Sequence, residues 1–107
     1  MGMFDEIRIL GHQIRGRRDG PPYTFQTKNF DCLLEWYSIR EDGRLYFHKV
    51  AESVDPDKAS EEARKETDNV TLVDMNYHGI ITGIDYYNWY EIKFTDGNLV
   101  SITAIED

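Results

Sequence analysis

A single cysteine, Cys32, stands among 107 residues. That excludes an internal disulfide framework and fits a reducing compartment, so the chain is read as cytoplasmic. Long apolar runs are missing too. Residues 1–10 carry acids at Asp5 and Glu6 and no uninterrupted hydrophobic stretch, matching neither a secretory leader nor a membrane span. Basic charge is scarce: the formal net charge is -8. Sequence-independent binding to phosphate backbones draws its free energy from Lys and Arg displacing counterions, so nucleic acid is not an expected partner. Motifs for chemistry are absent as well. There is no CxxC, HxH or HExxH, no phosphate loop and no nucleophile elbow, so neither a cofactor nor a catalytic residue is assigned.

Against these absences, one signal is present twice. Glu41-Asp42-Gly43 and Thr95-Asp96-Gly97 each lie between runs of alternating aromatic and aliphatic residues, the signature of an antiparallel hairpin. In the first, the loop pairs Ile39 with Leu45 and Tyr37 with Phe47, leaving Ser38, Arg40, Arg44 and Tyr46 on the other face. In the second, a three-residue loop with Gly97 at positive φ places Phe94 opposite Asn98, Ile92 opposite Val100 and Tyr90 opposite Ile102.

At this length the chain is read as one domain, 1–107, able to bury a core without disulfide or metal. Phe4 to Leu10 alternates as an opening strand, expected at an edge of the sheet. Residues 11–22 hold Gly11, Gly16, Gly20, Pro21 and Pro22 with three arginines, a composition that breaks helix and strand and reads as a mobile loop. Strand character resumes from Tyr23 to Phe30, and again from Val70 to Asn76 and Ile80 to Tyr87. Between these, residues 52–69 form an acidic excursion without aromatics. Asp55 can cap a helix whose first residue is Pro56, and Glu61 with Lys65 makes a favourable i,i+4 pair. Only Ala59 and Ala63 supply its apolar face, so the helix is expected to pack loosely or stand off the sheet.

Charge is distributed unevenly. Residues 1–28 hold five basic residues against three acids, a surplus of two, so residues 29–107 carry -10. The acids Glu61, Glu62 and Glu66 form one candidate interaction surface. The aromatics Trp36, Tyr86, Tyr87 and Trp89, with His78, form another, although alternate residues of a sheet must point inward and some of these rings are expected in the core. His78 with Asp74 and Asp85 could instead line a pocket between sheets. His12, His48, His78 and Cys32 are too scattered for a compact metal motif, so no metal ligand is assigned.

The order Phe25-Gln26-Thr27-Lys28, Asp31-Cys32, Asp42-Gly43-Arg44-Leu45, His78-Gly79 and Trp89-Tyr90-Glu91 with Phe94-Thr95-Asp96-Gly97 resembles a group of small uncharacterised proteins of phages and bacteria, which begin Met-Phe-Asp as Met3-Phe4-Asp5 does. The resemblance covers both ends and the first hairpin and fades between Ala51 and Asn69. It implies a phage-associated or bacterial intracellular protein and brings no activity and no site residue. The expected fold is therefore mainly β, an antiparallel sandwich or strongly curled sheet with one short inserted helix, the alternative being a two-layer α+β fold. The expected function is a non-enzymatic module that binds another protein, with self-association also open. The alternative is a small-ligand or carbohydrate-binding domain, or a weak enzyme, with an aromatic-lined pocket.

Overall fold

The computed structural model of the chain describes residues 4–14, 17–30, 35–85 and 88–105. It is mainly β, with strands β1 (Asp5–Ile9), β2 (Tyr23–Thr27), β3 (Trp36–Ile39), β4 (Leu45–Val50), β5 (Val70–Asp74), β6 (Gly79–Asp85), β7 (Asn88–Thr95) and β8 (Asn98–Ile105), and one helix, α1 (Pro56–Lys65). All eight strands form one open sheet in the order β5-β4-β3-β1-β2-β6-β7-β8. No described helix is long and apolar enough to cross a membrane.

The sheet is strongly curled, and chain length shows why it must be. Asp74 and Gly79 are five residues apart, a span of at most about 18 Å when fully extended. Yet β5 and β6 are five strand spacings apart in the sheet order, about 24 Å if it were flat. Curling closes that gap. It also brings the tip of the β7–β8 hairpin to the tip of the β3–β4 hairpin, where the Leu99 amide donates to the Gly43 carbonyl at 2.7 Å. Arg44 reinforces the meeting by reaching Asn98 at 3.4 Å, and also ties in the end of β5 through Asp74 at 2.5 Å and Asn76 at 3.1 Å.

The concave inner face holds the core. Ile7 and Ile9 of β1, Phe25 of β2, Ile39 of β3, Leu45 of β4, Ile81 of β6 and Ile92 and Phe94 of β7 are all buried there. Rings cross the concavity from β3 to β7. Phe30 stacks on Tyr37 at 4.2 Å and meets Tyr77 edge-on at 5.9 Å, and Tyr77 meets Phe94 at 5.7 Å. Gly83 is required on this face: a Cβ there would lie 3.0 Å from the Cβ of Phe25, whose ring crosses β6 to stack on Tyr90 at 4.9 Å. Part of the segment before β2 also joins the core, through the buried Ile14.

Several expectations change. β1 is not an edge strand; it lies between β3 and β2, and its odd positions are fully enclosed. The sheet is mainly antiparallel, as expected, with one exception: β1 and β3 are parallel neighbours. The chain runs up β1, down β2 and up again in β3 on the far side of β1, which leaves β1 and β3 pointing the same way. The first hairpin has the expected pairs Tyr37 with Phe47 and Ile39 with Leu45. The second differs. A two-residue turn, Asp96-Gly97, has both residues at positive φ (50° and 86°), so Thr95 pairs with Asn98 and Phe94 with Leu99. Val100 is then the extra residue of a bulge, and Ile92 pairs with Ile102.

The helix packs loosely, as its composition suggests, with a cavity of about 340 Å³ between it and β4, yet it is tied to the sheet. Asp55 caps it as expected, accepting from the Asp57 amide, and Pro56 opens it. Ala63 is its one buried residue, and polar bonds do the rest. Arg8 donates to the Arg64 carbonyl at 2.9 Å, and Arg40 reaches Glu66 at 2.5 Å. The buried His48 bonds the Ala63 carbonyl through Nδ1 at 2.8 Å. A charged helix therefore docks through a polar seam on the outer face of β3 and β4.

Candidate functional site

Among the described residues α1 packs on β3 and β4 and reaches β1 through Arg8, so the outer face of β6, β7 and β8 is left open. Residues of β7 alternate: Tyr90, Ile92 and Phe94 point inward, so Trp89, Glu91 and Lys93 point out. Trp89 lies between Ile84 of β6 and Ile105 of β8 as direct cross-strand neighbours. The three make an apolar ledge running to the edge of the sheet. Trp89 is 51 % exposed and Ile105 41 %, so the ledge faces solvent.

Beside Trp89 the ledge dips into a cavity of about 150 Å³ lined by Phe4, Gln26, Thr27, Lys28, Asn29, Thr82, Ile84 and Trp89. Its origin is local. The β2–β6 ladder consists only of Gln26 with Ile84 and Thr27 with Gly83. Beyond it side chains replace the backbone: the Thr82 amide donates to Asn29 Oδ1 at 2.9 Å, and the Thr27 hydroxyl donates to the Thr82 carbonyl at 2.9 Å. The strands part there, leaving a small apolar notch with a satisfied polar floor.

The remaining candidate residues are dispersed. Trp36 is 7 % exposed, set beneath the Arg8 guanidinium, which lies 5.0 Å from its ring. His78 is exposed at the opposite end of β7 from Trp89, its Nδ1 accepting from the Asp96 amide at 3.0 Å. Seven residues of strand between Trp89 and Asp96 amount to about 23 Å. Tyr86 and Tyr87 lie outside the described residues, as does Cys32. Asp74 and Asp85 do not converge with His78. Arg44 holds Asp74, keeping its carboxyl below the usual range, and Arg17 holds Asp85 at the other end of β6. Of the acids on α1, Glu61 pairs with Lys65 at 2.9 Å and Glu62 accepts from Asn69 at 3.0 Å. Glu66 turns toward the sheet, between Arg8 and Arg40. Glu61 and Glu62 thus stay on the surface while Glu66 belongs to the docking seam.

One cluster was not anticipated. His48 Nε2 lies 2.8 Å from Ser38 Oγ, and Glu66 Oε1 is 3.9 Å from the same nitrogen. The composition is that of a nucleophile, base and acid, but the arrangement is not. The acid lies on the serine side of the ring, Nδ1 is committed to the Ala63 carbonyl, and Ser38 is wholly buried. With Nδ1–H donating to Ala63, Nε2 accepts from Ser38, which itself accepts from Arg40 at 3.1 Å. Burial holds the His48 pKa below its ordinary value, so this neutral ring serves as a structural bridge. Its signal in the sequence was only that Ser38 and His48 share a face across the first hairpin.

Among the described residues, no group of three His, Cys, Asp or Glu side chains is placed to hold a metal ion. Comparison of the chain with protein-family models, curated proteins and solved structures found no match.

Proposed function

We propose that this chain is a non-enzymatic protein-interaction module whose contact surface is the ledge of Ile84, Trp89 and Ile105 with the adjoining notch. The observation that carries this reading is the half-exposed Trp89, fixed between two aliphatic neighbours on a sheet whose core is complete without it. An exposed aromatic on a rigid platform, beside a recess, is the anatomy of an interface anchor. The size of the recess favours a protein over a small molecule. At about 150 Å³ it is below the roughly 300–1,000 Å³ of ligand sites and suits a single apolar side chain presented by a partner.

The charge of the chain, -8, favours a neutral or basic partner surface over nucleic acid. The single cysteine supports a cytoplasmic setting, and a phage-associated or bacterial origin rests on the sequence resemblance alone. The test is affinity capture from bacterial lysate, read by mass spectrometry, with three baits: the parent chain, Trp89→Ala and Glu61→Lys/Glu62→Lys. A stoichiometric partner lost only with Trp89→Ala supports the ledge. Loss only with the charge reversal moves the contact to α1, and capture of nothing by the parent chain removes the proposal.

A further inference from the structure

The composition of β8 does not match its position. Three strands of the sheet carry no charged residue: β2 (YTFQT), β3 (WYSI) and β8 (NLVSITAI). The first two are paired on both sides, whereas β8 ends the sheet. Edge strands are ordinarily kept from pairing by charge, proline, shortness or a bulge; β8 has none of the first three over eight residues, and its bulge at Val100 lies outside residues 101–105. The other edge, β5, is five residues long and ends in Asp74, held by Arg44. Strand β8 is composed like an interior strand.

Its available length is defined. At its start, the Leu99 amide is taken by the Gly43 carbonyl, and Val100 forms the bulge. From Ser101 to Ile105 the ladder with β7 is regular, and no described strand pairs with its outer side. We propose that this five-residue edge pairs antiparallel with the same edge of a second copy, about a two-fold axis at Thr103, joining two sheets into one.

In that register Thr103 faces Thr103 of the partner subunit, Ser101 faces the partner's Ile105, and Ile102 faces the partner's Ala104. Each pair is uncharged, and a threonine pair is a favourable cross-strand combination. Among the described residues, the nearest like charges on the facing rows are Glu91 and the partner's Glu91. They lie three strand spacings apart, about 14 Å, beyond the roughly 8 Å over which charge acts at physiological salt. Thus no described charge of either copy lies on the paired edge itself. The same neutrality makes a second copy a better match than a charged peptide. A five-residue edge pair buries less than the roughly 1,200 Å² of a standard interface, so the dimer is weak and concentration-dependent.

The test is sedimentation velocity of the full chain from about 10 µM to 1 mM, a range suited to a weak interface. The expected result is a shift from monomer toward dimer with concentration. Thr103→Glu sets two carboxylates about 5 Å apart at the axis and should weaken association by at least about tenfold. Thr103 is exposed on the outer face opposite Glu91 of its own chain, a solvated like-charge pair too weak to unfold the sheet, so this variant should keep the parent far-UV spectrum. As a second readout, Thr103→Cys in a Cys32→Ser background should oxidise to a covalent dimer at the same seam. A chain that stays monomeric throughout and fails to cross-link overturns the proposal, as does a dimer indifferent to Thr103→Glu. The assay contains no second protein, so its failure leaves the Trp89 ledge standing.

Discussion

Acidification below about pH 6.5 should loosen this fold, and His48 is the reason. Its side chain is fully enclosed, with Nδ1 on the Ala63 carbonyl and Nε2 on Ser38 Oγ. Protonation would place a cation near Arg40 and Arg8, leaving the Ser38 proton to find another acceptor, and Glu66 offsets only part of that cost. Burial therefore lowers the pKa in the folded state from 6.5, while the unfolded chain keeps the ordinary value. As pH falls below about 6.5, the unfolded state takes the proton first, so the stabilisation is complete above that pH and declines below it. One proton sets the limit at about 1.4 kcal/mol per pH unit, or about 2 kcal/mol between pH 6.5 and 5. Urea unfolding followed by far-UV circular dichroism across this range, for the parent chain and His48→Gln, measures the difference. Glutamine supplies one donor and one acceptor but does not titrate, so its curve should be flatter. Equal slopes in the two proteins would refute the argument.

Other substitutions have defined expectations. Gly83→Val should cost about 1–3 kcal/mol in chemical denaturation, because even its Cβ meets Phe25 at 3.0 Å. Gly97→Ala should cost about 1–3 kcal/mol, since the residue has φ 86° and a Cβ would lie 2.5 Å from Asn76 Oδ1. Ser38→Ala leaves the His48 Nε2 acceptor without its donor in a buried site, and should lower stability by about 1–3 kcal/mol.

Local patterns conveyed the elements better than their arrangement. Alternation around Asp42-Gly43 was enough for the first hairpin, because Tyr37, Ile39, Leu45 and Phe47 share one buried face. Asp55 and Pro56 marked the start of α1 for the same local reason. The second hairpin was misaligned because Asp96 also adopts positive φ, shortening the turn and displacing the mismatch to Val100. The position of β1 could not be read locally. Its enclosed Asp5 carries the charge of an edge residue, yet it accepts from the Glu35 amide at 2.9 Å inside the sheet. The docking of α1 was hidden because its partners, Arg8, Arg40 and His48, are distant in sequence and polar. For the candidate site, period two places Trp89 and Tyr90 on opposite faces but does not say which face is buried. That depended on the curl, which follows from the short path between β5 and β6.

The inner face of the sheet makes the fold, and the outer ledge does not. The most direct test is the loss of folding free energy in Trp89→Ala measured beside Phe25→Ala. Phe25 is fully buried, and its truncation should cost about 3–5 kcal/mol. Trp89 keeps about half its surface in water, so its truncation should cost no more than about 2 kcal/mol. A loss for Trp89→Ala equal to or greater than that for Phe25→Ala would place the indole in the core and leave the ledge without a function of its own.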